Sequence, residues 1–238
     1  MKISNINGLL NINKPPGITS HDVVKEVRRI LDIRRVGHMG TLDPQAKGVL
    51  LIGVGRGTKM APFLLELPKT YRAMMVLGIK TDTQDAWGKI ISQKDDFRVS
   101  KEELLQVFSK FTGEIEQIPP IFSALKYHGK PLYSYARKGI SLEIKPRKVN
   151  IKELRFLEYK DNRVDFEIYC SKGTYIRTLC NDIGERLGCG AHLARLERTR
   201  VGEFRIEEAL TLKELERASA QGELDRYLHP IEPLDLRN

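Results

Sequence analysis

Apolar and polar positions along this chain follow two different periods, and the changes of period mark its elements. Gly8 to Asn13 is a short apolar run, read as a strand, that stops at the turn signal Lys14-Pro15-Pro16-Gly17. Ser20 can cap the helix that follows. There Val23, Val24, Val27, Ile30 and Leu31 recur at helical spacing, with Lys25, Arg28 and Arg29 on the opposite face. Val49-Leu50-Leu51-Ile52 reads as a buried strand, and Met60 to Leu67 as a short helix. Tyr71 to Ile79 is a β-type run that closes on Gly78 and the polar turn Thr81-Asp82-Thr83. Ser100 with Glu103 has the spacing of a capping box, ahead of a helix carrying Leu104, Leu105, Phe108 and Phe111. Val164, Phe166 and Ile168 alternate with Asp165 and Glu167, as in a half-buried strand. Ile176, Leu179, Cys180, Ile183 and Leu187 line one face of a helix that ends at Gly188, and Thr211 with Glu214 starts a last one. Helices and strands mix without a regular βαβ beat. That predicts an α+β fold with a mixed sheet rather than a doubly wound one.

Composition narrows this picture only a little. At 238 residues, with 41% apolar and 30% charged residues, the chain has the make-up of an ordinary globular protein with a substantial core. The start carries no continuous apolar stretch of a secretory signal, and no run approaches the ~20 apolar residues of a membrane span. A cytoplasmic protein with no membrane association is expected. The three cysteines, Cys170, Cys180 and Cys189, form no C-x-x-C pair. They are read as small buried apolar residues, not as a disulfide framework or a zinc site.

Charge is more informative in its distribution than in its total of +9. Residues 1–70 hold 11 basic and 5 acidic side chains, and residues 121–200 hold 17 and 9. Between them, 71–120 is nearly neutral, and 201–238 is acidic with 5 against 9. Two separated basic blocks can converge on one phosphate-binding surface, although a generally solvated basic protein would look the same.

Several motifs can be weighed singly. Gly53-Val54-Gly55-Arg56-Gly57-Thr58-Lys59 fails as a P-loop, because the order is Gly-Thr-Lys. It fails as a Rossmann turn, because Thr58 stands where glycine is needed, and it reads as a strand-to-helix connection. Asp43-Pro44 suits a helix start, Asp as cap and Pro as first residue. Its neighbours suggest something else: Gly37, Gly40 and Gly48 leave room for a ligand near the acid, and Pro44 restricts the backbone that aims it. His38 has no second histidine at ligand spacing, so a metal is not expected; a flat ring there can stack on a base or fill the gap of an extruded one. Residues 121–150 interleave Phe122, Tyr127, Tyr133 and Tyr135 with Lys126, Lys130, Arg137, Lys138, Lys145, Arg147 and Lys148, and Glu143 is the one acid among them. Such a mixture suits unstacked bases and adjacent phosphates, or else a surface loop whose aromatics pack inward. Lys172-Gly173-Thr174-Tyr175-Ile176-Arg177 opens a helix whose N-terminus favours anions.

Gly37-His38-Met39-Gly40-Thr41-Leu42-Asp43-Pro44-Gln45-Ala46-Lys47-Gly48-Val49-Leu50 closely resembles the catalytic motif of the TruB-type tRNA pseudouridine-55 synthase family. Five further stretches resemble that family's motifs in order: Asn13 to Ser20, Lys69 to Ala73, Pro119 to Lys126, Ser171 to Arg177, and Leu187 to His192. The resemblance implies a pseudouridine synthase fold, with a mixed, largely antiparallel sheet, a central catalytic cleft and flanking helices. It implies isomerisation of one uridine in the T-loop of tRNA, with no cofactor and no metal. By motif position Asp43 is the nucleophile. Tyr71 stacks on the target base and assists proton removal from C5. Arg177 pairs with Asp43, while His38, Tyr175 and Leu196 contact the substrate or shape its pocket. Lys126, Lys130, Arg147 and Lys148 belong to the insertion, about 121–150, that grips RNA. Bacterial relatives usually continue into a PUA-like domain. None is expected here: the reading is one catalytic domain over 1–238 with a short acidic segment at 203–238.

The chemistry fits these residue types. The C1′–N1 bond must break, the base must turn, and C1′ must join C5. A carboxylate serves as nucleophile at the sugar or base, or as a base starting an elimination. The target base must also leave its stack, at a cost of a few kcal/mol. Two other readings stay open at this point. One is an RNA-folding module that remodels tRNA without chemistry. The other is the guide-RNA-dependent branch of the same superfamily, against which the long insertion speaks. The expected partner is tRNA through its T-stem-loop, met by a monomer with no obligate protein partner.

Overall fold

A computed structural model describes residues 6–140 and 142–231. In chain order these form β1 (Gly8–Lys14), α1 (Ser20–Leu31), β2 (Val36–His38), β3 (Lys47–Val54), α2 (Ala61–Leu64), β4 (Lys69–Leu77), β5 (Ile79–Thr81) and β6 (Ile90–Gln93). There follow α3 (Lys101–Lys110), β7 (Gly113–Gln117), β8 (Lys126–Tyr127), β9 (Lys130–Pro131), α4 (Leu132–Ala136), β10 (Arg147–Lys160) and β11 (Arg163–Cys170). The last are α5 (Ile176–Arg186), β12 (Ala191–Val201), β13 (Phe204–Arg205) and α6 (Leu212–Gln221). The chain divides into two compact units, residues 1–71 with 196–238, and residues 72–195. β4 and β12 each pass from one unit into the other.

In the first unit β1 lies antiparallel to β3, from Gly8 opposite Val54 to Lys14 opposite Gly48, and β2 pairs antiparallel with the end of β3. β12 joins β3 in parallel through Glu197 opposite Lys47 and Arg198 opposite Gly48. Alternation along β3 sends Leu50, Ile52 and Val54 into a core with Val23, Val24, Val27 and Leu31 of α1 and Leu215 of α6. Val49 and Leu51 enter a second core with Leu9, Met39, Leu64, Val201 and Phe204. A strand buried on both faces has no polar position to spare, which is why Val49 to Ile52 is uniformly apolar. The far edge of β1 is closed by backbone bonds between Leu9 and His229, 2.9 Å in each direction.

The second unit is built on antiparallel pairing of β10 with β11 and with β7, and β4 neighbours β11. The β10–β11 turn is Asp161-Asn162, both at positive φ (49° and 59°), the twist that a tight hairpin demands. Val164, Phe166 and Ile168 point inward, and Phe108 of α3 meets the Phe166 ring edge-on at 5.8 Å. α5 buries Ile176, Leu179, Cys180 and Ile183. Every pairing described is antiparallel except β12 with β3, as an α+β mixed sheet predicts. No helix among the described residues is long and apolar enough to cross a membrane.

Three local expectations change, and one open reading is decided. Thr19, not Ser20, caps α1, and it closes a capping box with Asp22. In α3, Leu105 is exposed and Val107 takes the inward place beside Leu104 and Phe108. The stretch from Met60 is mostly a 3-10 turn, Gly55–Met60, followed by the single turn of α2. Gly57 explains the tight geometry: a Cβ there would collide with the Gly8 carbonyl. Asp43-Pro44 starts no helix. It begins a β-turn, Ala46 N–H donating to Asp43 O at 3.0 Å, with Pro44 in the second position where its fixed φ belongs. The capping boxes at Ser100/Glu103 and Thr211/Glu214 form as the spacing predicts, and the three cysteines are buried and unbridged.

Candidate active site

Asp43 sits in the loop between β2 and β3, and nearly every backbone carbonyl around it is tied down. Gly40 enters the loop at φ +109°, a conformation that side chains rarely tolerate. Ser20, released from capping, accepts from Leu42 N–H at 2.9 Å and donates to Leu42 O at 3.2 Å. Lys14 is fully buried and donates its three protons to Pro15 O (3.0 Å), Pro44 O (2.9 Å) and Ala46 O (2.7 Å). Gly17 N–H reaches Pro44 O as well, at 2.9 Å. From β12 the buried Arg198 donates to Val49 O (2.7 Å), Thr41 O (3.2 Å) and Gly40 O (3.4 Å). Gly48 makes that approach possible, since a Cβ there would collide with the Arg198 backbone carbonyl.

Two buried cations therefore hold the backbone of the turn that carries Asp43. Burial lowers the Lys14 ammonium from its ordinary value to about 8. The Asp43 charge pulls it up and Arg198 pushes it further down. Neither Lys14 nor Arg198 stood out in the sequence as a site residue. Lys14 reads there as part of a Pro-Pro-Gly turn, and Arg198 as one of many basic residues. The available signals were a lysine in the first core strand and its place in the Asn13 to Ser20 motif.

His38, at the end of β2, is half-buried. Burial first, then His21 and Arg198, hold its pKa below the ordinary histidine value, so the ring is neutral at physiological pH. Its Nδ1 is buried and has no hydrogen-bond partner among the described residues. Tyr71 on β4 is buried, and Leu196 on β12 is half-buried, two positions before Arg198 and so on the same side of that strand.

In the second unit Arg177, in the first turn of α5, is buried. It donates to Thr83 O and Phe122 O, both at 3.0 Å, and its Nη1 stands 3.8 Å from Asp85 Oδ2. Asp85 is held in turn by Thr83 Oγ (2.6 Å) and Trp87 N–H (3.0 Å) on its Oδ1. Tyr175 caps α5 through its backbone, which exchanges two hydrogen bonds with the buried Gln117 side chain, 3.0 and 3.1 Å. Lys126 and Lys130 lie exposed on the β8–β9 hairpin around the turn His128-Gly129. Tyr127 and Tyr133 are also exposed, and the Arg137 guanidinium lies 5.3 Å from the Tyr133 ring. The aromatics of this segment therefore do not all pack inward. Arg147 and Lys148 open β10 opposite Gln117 and Glu116, and Lys148 is ion-paired with Glu114 at 2.8 Å.

The profile described as the TruB family pseudouridylate synthase N-terminal domain matches residues 28–176, and that of the tRNA pseudouridylate synthase B C-terminal domain matches 177–234. The chain belongs to the TruB family. It is 49% identical to the tRNA pseudouridine synthase B of Clostridioides difficile over 229 residues, which is 95% of this chain and 76% of that protein. With the same enzyme of Geobacillus thermodenitrificans it shares 48% over 234 residues, covering 95% and 78%. Among solved structures it resembles a chain of a Cbf5-Nop10-Gar1 complex, with TM-score 0.73 and 33% identity. A second resemblance is to an H/ACA RNP bound to a substrate RNA containing 2′-deoxyuridine, with TM-score 0.71 and 30% identity. It covers 92% and 94% of its own length in these matches, but only 56% and 59% of those chains. The TruB-family chain thus has a pseudouridine synthase fold.

Proposed function

We infer that this TruB-family chain is a tRNA pseudouridine-55 synthase, an isomerase that converts one uridine of the T-loop to pseudouridine. The observation that supports this best is the Asp43 turn, whose backbone carbonyls are held by two buried cations so that the residue bearing the carboxylate has a fixed backbone. Preorganisation of this kind removes the cost of orienting the reacting group at the moment of attack.

In the proposed mechanism the target base leaves the stack and Asp43 acts as nucleophile or as the base of an elimination. The C1′–N1 bond breaks, the uracil turns, C1′ bonds to C5, C5 loses its proton, and N1 takes one up. Atoms and electrons balance without a co-reactant, so no cofactor or metal is required by the stoichiometry. Tyr71 stacks on the base and assists removal of the C5 proton. Arg177 pairs with the carboxylate and orients it. His38, neutral and flat, fills the space of the extruded base, and Tyr175 and Leu196 shape the pocket. Lys126, Lys130, Arg147 and Lys148 grip the phosphates of the T-stem-loop. The protein acts as a cytoplasmic monomer without an obligate protein partner.

The deciding experiment is incubation with a T-stem-loop RNA and mapping of the isomerised base. Wild type is expected to modify the bare stem-loop with no guide RNA or added protein, whereas Asp43→Asn binds the RNA and makes no pseudouridine. Full turnover by Asp43→Asn would remove that residue from the mechanism. Modification only in the presence of a guide RNA would move the chain to the other branch of the superfamily.

A further inference from the structure

The β5–β6 hairpin carries a feature that nothing in the reaction scheme uses. Trp87, the one tryptophan of the chain, is 70% exposed, and Ile90 and Ile91 beside it are 59% and 62% exposed. A single exposed apolar side chain is ordinary, but several large ones grouped on one hairpin mark a recognition surface.

The ring stands on a turn that is held firmly. Asp85 Oδ1 accepts from Trp87 N–H at 3.0 Å and from Thr83 Oγ at 2.6 Å, and Thr81 Oγ donates to Asp85 O at 2.6 Å. Asp82 Oδ1 accepts from Lys89 N–H at 2.8 Å, and Ala86 N–H donates to Leu193 O at 3.0 Å. Gly88 lets the turn close, because a Cβ there would collide with Asp82 and Thr83. The two carboxylates thus accept from the turn's own backbone, while Lys89, two residues on from Trp87, is exposed. The same turn contacts Arg177. Thr83 O accepts from Arg177, and Asp85 Oδ2 faces the guanidinium. Trp87 is two residues from Asp85, so their Cα atoms are at most roughly 7 Å apart.

We propose that Trp87 is a stacking platform for an unstacked base of the substrate RNA, set on the rim of the Arg177 site and flanked by Lys89. This rests on the assignment of Arg177 to the reaction. Continuity with Arg177 favours RNA as the occupant: a nucleotide that reaches the guanidinium has its loop neighbours within stacking range of the indole. A base on an aromatic face suits this position because stacking tolerates any base and needs no hydrogen-bond readout. Ile90 and Ile91, three and four residues further along, leave more apolar surface exposed on the same hairpin.

A single tryptophan makes the test direct. Asp43→Asn protein, which retains Trp87, is titrated with T-stem-loop RNA while indole emission is followed. Stacking quenches the emission with the same midpoint as binding measured independently. In otherwise wild-type protein Trp87→Ala raises KM for the stem-loop by about ten-fold, consistent with the loss of one stacked base, with the larger part of the loss in KM rather than kcat. Trp87→Phe, which keeps a ring, recovers most of that loss. Emission unchanged at saturating RNA overturns the proposal, and so does an unaltered KM in a folded Trp87→Ala protein. An emission change that follows protein concentration without RNA also overturns it, and gives the patch to contact between copies. If wild type makes no pseudouridine on any RNA, the functional reading fails instead.

Discussion

At the residue scale the Asp43 turn depends on two cations that a protein ordinarily keeps at its surface. Burying an ammonium is costly unless each proton finds an acceptor, and Lys14 finds three backbone carbonyls. Its folded pKa of about 8 lies below the ordinary 10.5, so between these values the unfolded chain binds more protons. Stability contributed by this group is therefore lowest below pH 8, rises as pH climbs from about 8 to 10.5, and is level outside that window. The expected gain of wild type relative to Lys14→Met across that window is on the order of 3 kcal/mol, from about 1.4 kcal/mol per pKa unit. Denaturation of both proteins at pH 7.5 and pH 10.5 checks it, and parallel behaviour of the two would refute it. At neutral pH Lys14→Met should itself be destabilised, because the Ala46 carbonyl loses its donor. Arg198→Lys should keep the fold but lose the fan of three bonds to Val49, Thr41 and Gly40. A fall in kcat with RNA affinity retained is the expected split, read by single-turnover assay and filter binding.

At the element scale the caps are worth testing because they are local and additive. Thr19 accepts from Asp22 N–H at 3.1 Å while Asp22 returns a bond to Thr19 N–H at 3.1 Å. Thr19→Ala should cost about 1 kcal/mol of stability, whereas Ser20→Ala should do more to activity, since Ser20 holds the Leu42 backbone next to Asp43. Equal effects of the two on thermal unfolding and on turnover would contradict this division. The basic insertion is also tested as an element. Neutralising Lys126, Lys130, Arg147 and Lys148 together should weaken RNA binding and flatten the slope of log affinity against log salt by up to about one per phosphate contact. Lys148 should contribute least, because Glu114 already engages its charge and raises its pKa. An unchanged slope would place the RNA elsewhere.

On the scale of the whole molecule, the positive charge is carried in blocks along the sequence rather than spread evenly. Residues 1–70 and 121–200 are basic while 201–238 is acidic, and the net charge of +9 favours association with a polyanion. The sequence by itself determined the elements whose signal is local. Alternation in β11, the apolar run of β3 and the Ser/Thr-x-x-Glu spacings at α3 and α6 follow from burial period and from orphan N–H groups at helix ends. It determined the family too, because six short motifs in one order are a property of sequence alone. Tertiary structure decided everything that depends on which distant backbone group a side chain meets. Asp43-Pro44 carries the same local preferences as a helix start, yet it becomes a β-turn because Lys14, Ser20 and Arg198, 29, 23 and 155 positions away, take its carbonyls and those around it. Leu105 and Val107 fit a helical stripe equally well until the sheet beneath α3 chooses one of them. Periodicity records which side of an element is dry; it carries no information on which partner waits there, and the candidate site is made of such partners.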